Sequence, residues 1–165
     1  MYYLDHFKKL CSIPHGSYHT EEITAYCIEF AKENGLAYRT DEAGNVVIIK
    51  EASEGYENEP TVMLQGHLDM VCEKEKDIDF DFLTQPLDLI EEDGWLKARG
   101  TTLGGDDGVA IAYCMAVLTD NTLKHPRLEC VFTTQEEVGM DGAAALDTSD
   151  LKAAYLINLD TENEG

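Results

Sequence analysis

Three short apolar runs set the architecture of this chain. Thr61–Gln65 reads as a buried strand and Leu128–Thr133 and Tyr155–Leu159 as two further strands, and segments of helical period separate them. Strands that alternate with helices must bury a sheet beneath them, which predicts an α/β three-layer sandwich around a mostly parallel or mixed sheet. Tyr3, Leu4, Phe7, Leu10 and Cys11 recur at helical intervals over Tyr2–Ile13 until Pro14 stops the run. Thr20 is placed to cap a second helix, with Glu21 and Glu22 in its first turn and Gly35 just past its end. Val109–Leu118 predicts a buried third helix and Gly142–Leu146 a short fourth. Leu36–Thr40 and Asn45–Lys50 read as strands joined by a turn at Asp41–Gly44, and Leu87–Ile90 with Trp95–Ala98 as a hairpin. The segment EKEKDIDFDFLTQ, residues 73–85, has no clean period and reads as an exposed excursion.

Composition narrows the partners. The 165 residues, 44% of them hydrophobic, suffice for one domain with a real core. Twelve Lys+Arg against 33 Asp+Glu leave a net charge of −21, which repels phosphate backbones and anionic membrane surfaces alike. Neither nucleic acid nor a membrane is expected as a partner. Five cysteines, an odd number without a CxxC pair, fit buried reduced thiols, and no apolar run approaches membrane-spanning length. The expected location is the cytoplasm.

The chemistry sits where the apolar elements end. His67 and Asp69 follow the first of the three strands, Asp106 and Asp107 lie in the glycine-rich Gly100–Gly108, Glu136 and Glu137 follow the second strand, and Asp160 follows the third. Parallel strands of a wound sheet place such ends along one edge, so residues far apart in sequence converge there. Carboxylates gathered around one imidazole repel one another unless a cation neutralises them, and mixed nitrogen and oxygen donors suit zinc, with manganese or cobalt as alternatives. The adjacent glutamates suggest a division of labour: one binds metal, and the other takes a proton from water. If extended, they point in different directions. Taken singly, each motif is an ordinary surface pattern. Their joint order is what points to a site. No Gly-x-Ser-x-Gly elbow surrounds any serine, Gly104–Gly108 lacks the Gly-Lys-Ser/Thr ending of a phosphate cradle, and His6, His15, His19 and His125 read as surface or loop residues.

GHLDM at 66–70, GTTLGGDDG at 100–108, TTQEEVGM at 133–140 and INLDTE at 157–162 together resemble the dinuclear-zinc exopeptidase family that includes carboxypeptidase G and carnosinase. With FKKLCSIPHGSYHTEE near the start, the likeness is to its aminoacyl-histidine dipeptidase branch. The resemblance implies two divalent metal ions, with His67 and Asp160 on one, Glu137 on the other, and Asp106 bridging both. It also implies that Asp69 orients His67, that Glu136 is the general base, and that the Asp106–Asp107 peptide bond is cis. The implied activity is metal-dependent hydrolysis of small Xaa-His dipeptides, with a deacylase or tripeptidase on the same framework, or a non-catalytic metal-binding fragment, as alternatives. Residues 1–165 then correspond to the N-terminal part of the catalytic domain. An inserted lid and dimerisation domain and a C-terminal segment carrying one more ligand histidine are expected in a longer homodimeric enzyme, and the fragment alone is expected to lack useful activity.

Overall fold

The computed structural model describes residues 2–160, so Thr161 and Glu162 of the INLDTE motif lie outside the described residues. Helix α1 (Tyr3–Leu10) and α2 (Glu21–Glu33) come first, followed by strands β1 (Ala37–Thr40), β2 (Val46–Lys50) and β3 (Val62–His67). The hairpin β4 (Leu89–Glu92) and β5 (Trp95–Ala98) leads to helix α3 (Gly105–Thr119), and β6 (Leu128–Thr133), α4 (Asp141–Ala145) and β7 (Tyr155–Asn158) complete the order. The main sheet runs β1-β2-β6-β3-β7, and β4-β5 stands apart as a two-stranded sheet. β1, β2 and β6 pair antiparallel, whereas β6, β3 and β7 are parallel, with Val62 opposite both Leu128 and Tyr155. This is the expected mixed sheet flanked by helices.

Side-chain alternation divides the sheet's two faces. Val46, Ile48, Leu64, Cys130 and Phe132 pack with Phe7, Leu10, Ile23, Cys27 and Ile111 into one core beneath α1, α2 and α3. Val131, Met63 and Leu156 point the other way, toward α4 and the segment after it. The two flanking layers are therefore unequal. Because β3, β6 and β7 run in parallel, their C-terminal ends share one edge, where His67 ends β3 and Asp160 follows β7. Among the described residues, no helix is long and apolar enough to cross a membrane.

Several local expectations are corrected. Thr20 occupies the N-cap position of α2, but its φ of −103° and ψ of 5° are not the extended geometry that aims a hydroxyl at the helix, and its side chain makes no cap bond. Of the four histidines read as surface or loop residues, His15, His19 and His125 do lie in loops, although His15 and His125 are buried there; His6 departs from the expectation, being buried on α1. His6 packs edge-on against Phe30, His15 Nδ1 lies 2.6 Å from the Ile13 carbonyl, and His125 Nδ1 lies 2.8 Å from that of Pro126. Main-chain carbonyl partners admit the His15 and His125 rings to the interior, whereas both ring nitrogens of His6 are buried without a hydrogen-bond partner among the described residues. Four cysteines are buried as expected, but Cys72 is exposed.

Candidate metal centre

His67, the last residue of β3, is buried, and its ring is held from both sides. Nδ1 lies 2.9 Å from the main-chain carbonyl of Asp69 and 3.4 Å from Asp69 Oδ1. Because a carbonyl only accepts, Nδ1 carries the proton, and Nε2 faces outward, 3.0 Å from Asp106 Oδ1. Burial alone would lower the pKa of this imidazole, but the hydrogen bonds its ring donates to Asp69 and Asp106 overcome that and lift it to about 9. The surrounding carboxylates thus favour a positive charge at this point.

Asp69 is itself fully enclosed. Its carboxylate accepts the Ser17 hydroxyl at 2.8 Å, the Glu136 main-chain N–H at 2.9 Å and that of Glu137 at 3.3 Å. One carboxylate therefore ties the end of β3 to the turn after β6. Burial opposes ionisation of Asp69, but the His67 ring and these donors hold its pKa below the ordinary carboxylate value. Residues 136–139 form a turn, so Glu136 and Glu137 are not extended as expected.

Helix α3 opens irregularly: Asp106 and Asp107 both have non-helical φ/ψ, and the bond between them is cis, as the resemblance implies. Asp106 is exposed toward His67. Asp107 is buried, and its Oδ2 accepts the main-chain N–H of His67 at 3.1 Å. Burial raises the Asp107 pKa to about 7. No role was assigned to Asp107 or Ser17 from the sequence. The doubled aspartate was a usable sign, since two neighbours at an irregular helix start rarely face the same way, whereas nothing marked Ser17. Gly66 is required by this packing. A Cβ there would lie 2.5 Å from Asp107 Oδ2 and 3.0 Å from the Ala110 Cβ. Gly66→Ala should therefore cost about 1–3 kcal/mol of stability, read as a lowered denaturation midpoint, because helix α3 must move off the strand.

Ligand atoms of His67, Asp106 and Glu137 all lie within 4.8 Å of one another, a mixed donor set that fits a divalent cation. Burial raises the Glu137 pKa, and the Asp106 charge adds to the effect. Glu136 stands just outside this cluster, with Oε2 3.9 Å from His67 Nε2. Asp160 reaches the same edge, where it borders a hollow with Glu136 and its charge helps to raise the Asp107 pKa, but it is not a member of the three-residue cluster. Two cations about 3.5–4 Å apart do not need all their ligands mutually that close. The structure thus brings His67, Asp106 and Glu137 together, sets Asp69 and Glu136 against them, and leaves Asp160 at the rim.

Residues 63–164 match the profile of peptidase family M20/M25/M40. The chain belongs to that family. It is 47% identical over 161 residues to the cytosol non-specific dipeptidase of Escherichia coli (strain K12), covering 98% of this chain and 33% of the relative. Among solved structures, the aminoacylhistidine dipeptidase from Vibrio alginolyticus superposes with a TM-score of 0.95 at 44% identity, covering 99% of this chain and 33% of that one. A tripeptidase from Staphylococcus aureus shares the fold, with a TM-score of 0.82 at 24% identity over 98% of this chain and 43% of its own. The chain spans about a third of the length of the two dipeptidases it matches.

Proposed function

We propose that this chain forms part of the catalytic domain of a metal-dependent dipeptidase that hydrolyses small dipeptides of the Xaa-His type in the cytoplasm. The observation that carries the reading is the convergence of His67, Asp106 and Glu137, with their ligand atoms within 4.8 Å, on the edge where β3 and β6 end. The dipeptidase names of the two relatives support the activity, and the cytosol in one of those names supports the location. His67, Asp106, Glu137 and Asp160 would hold two divalent ions, zinc first, which when bound supply Lewis-acid polarisation of the scissile carbonyl and make water more acidic. Asp69 fixes the His67 ring through its main-chain carbonyl, leaving Nε2 directed at the cluster. Glu136, next to the cluster but outside it, takes the proton from the attacking water and passes it to the leaving amine. The remaining ligand histidine and a lid and dimerisation domain are assigned to the rest of a protein of the relatives' length.

The test is metal analysis and hydrolysis by the full-length protein. Two equivalents of divalent metal, cleavage of free dipeptides, loss of activity with chelator and recovery with zinc are expected. A protein without bound metal, or one that cleaves N-acyl amino acids or tripeptides in preference to dipeptides, would overturn the reading.

A further inference from the structure

A second feature lies beside the cluster: a hollow of about 360 Å³, at the small end of ligand-sized cavities, with Glu137 in its lining. Its apolar wall comes from Met70 and Val71 after β3, Phe82 and Leu83 from the segment 73–85, and Val138 beside Glu137. Val71, Leu83 and Val138 are 43%, 53% and 38% exposed, an unusual concentration of solvated aliphatic surface at the mouth of one cavity. The segment that supplies Phe82 and Leu83 is a built turn. Asp81 accepts the Leu83 main-chain N–H at 3.0 Å and the Thr84 hydroxyl at 2.8 Å, Gln85 Oε1 accepts the Asp81 N–H at 2.6 Å, and Lys74 Nζ donates to the Phe80 carbonyl at 2.7 Å. Phe80 and Phe82 stack edge-on at 4.8 Å. The ionisable lining groups are Glu73, Glu137, His19 and Cys72, whose thiol is kept neutral by its partial burial, and among the described residues neither lysine nor arginine borders the hollow.

That charge pattern chooses between the two ends of a dipeptide. Glu73 attracts the residue that carries the free ammonium and repels the one that carries the carboxylate. We propose that the hollow receives the side chain of the N-terminal residue of the substrate, accepting apolar side chains and rejecting acidic ones, with Leu83 and Val71 as specificity-determining residues. The inference rests on the dipeptidase reading for the placement of the scissile bond beside Glu137. It adds a role for residues 73–85, which the sequence marks only as an exposed excursion.

The experiment compares kcat/KM of the full-length, zinc-loaded protein for Leu-His, Phe-His, Gly-His and Asp-His. Leu-His and Phe-His should exceed Asp-His by about tenfold or more, since a pocket built for apolar groups discriminates on that scale. Leu83→Asp should lower the ratio of Leu-His to Gly-His by about tenfold through KM, and Leu83→Met should restore most of it. Equal losses on all four substrates, or an unchanged ratio, would overturn the proposal. If the wild-type protein cleaves no dipeptide, the dipeptidase reading fails, and calorimetric titration with leucinamide and glycinamide then judges the hollow separately. Tighter leucinamide binding that Leu83→Asp abolishes would support it, and equal binding of the two amides would end it.

Discussion

Glu136→Gln in the full-length protein should lower dipeptide turnover by about 10²–10⁴-fold and leave metal content and thermal midpoint close to those of the parent. The geometry separates the two outcomes. Glu136 is not among the three residues whose ligand atoms cluster within 4.8 Å, and its side chain is 33% exposed, so a neutral amide of the same shape fits without burying anything new. Its backbone position does not depend on its carboxylate, because the main-chain N–H is held by Asp69 Oδ1 at 2.9 Å. The substitution therefore removes proton acceptance and little else. Glu137→Gln serves as the contrast: it changes a member of the cluster and should lower metal affinity as well as turnover. Atomic metal analysis alongside kcat distinguishes the pair. Turnover of Glu136→Gln within threefold of the parent would remove its role as base, and loss of metal from that variant would move it into the ligand set.

Much of this arrangement could be read from local pattern. The strand expected at Leu128–Thr133 matches β6 residue for residue, because six buried positions between turn residues leave little freedom in either boundary. Convergence at strand ends has an equally simple basis: parallel pairing of β6, β3 and β7 brings three ends to one edge whatever the connections between them. What local pattern did not carry were contacts between distant residues. Ser17 meets Asp69 across 52 positions, and only the tertiary fold shows that this serine belongs to the site. The choice of Asp107 as the inward aspartate depends on non-helical backbone at residues 106 and 107, where periodicity has nothing to say. His6 does not fit the expectation of a surface or loop residue, because it packs edge-on against Phe30 of the next helix, a contact that spacing within α1 does not reveal. The inequality of the two layers also escaped notice. Helix lengths were readable, but the face of the sheet that each helix would cover was not.

Removing the carboxylate of Glu129 should cost about 3–5 kcal/mol of stability for Glu129→Ala. Glu129 is the second residue of β6, opposite Ile49 on one side and Met63 on the other, and is wholly buried. Its two oxygens accept the Lys152 main-chain N–H at 3.0 Å and that of Ala153 at 3.1 Å, and Oε1 also takes Arg127 Nε at 3.3 Å and Nη2 at 3.2 Å. Alanine would leave two N–H groups without acceptors and a mostly enclosed guanidinium with Glu51 as its remaining ion-pair partner among the described residues. Glutamine keeps one acceptor oxygen but turns an amide donor toward donors, so Glu129→Gln should fall between alanine and the parent. Lys152 and Ala153 lead directly into β7, the outermost strand, which runs on toward Asp160. The damage should therefore begin at β7, with faster amide exchange at residues 155–158 than in β2 or β6. Denaturation midpoints for the two variants, with exchange resolved by strand, check the claim. A Glu129→Ala variant within about 1 kcal/mol of the parent, or one in which all strands loosen equally, would show that this buried carboxylate does not hold β7 in place.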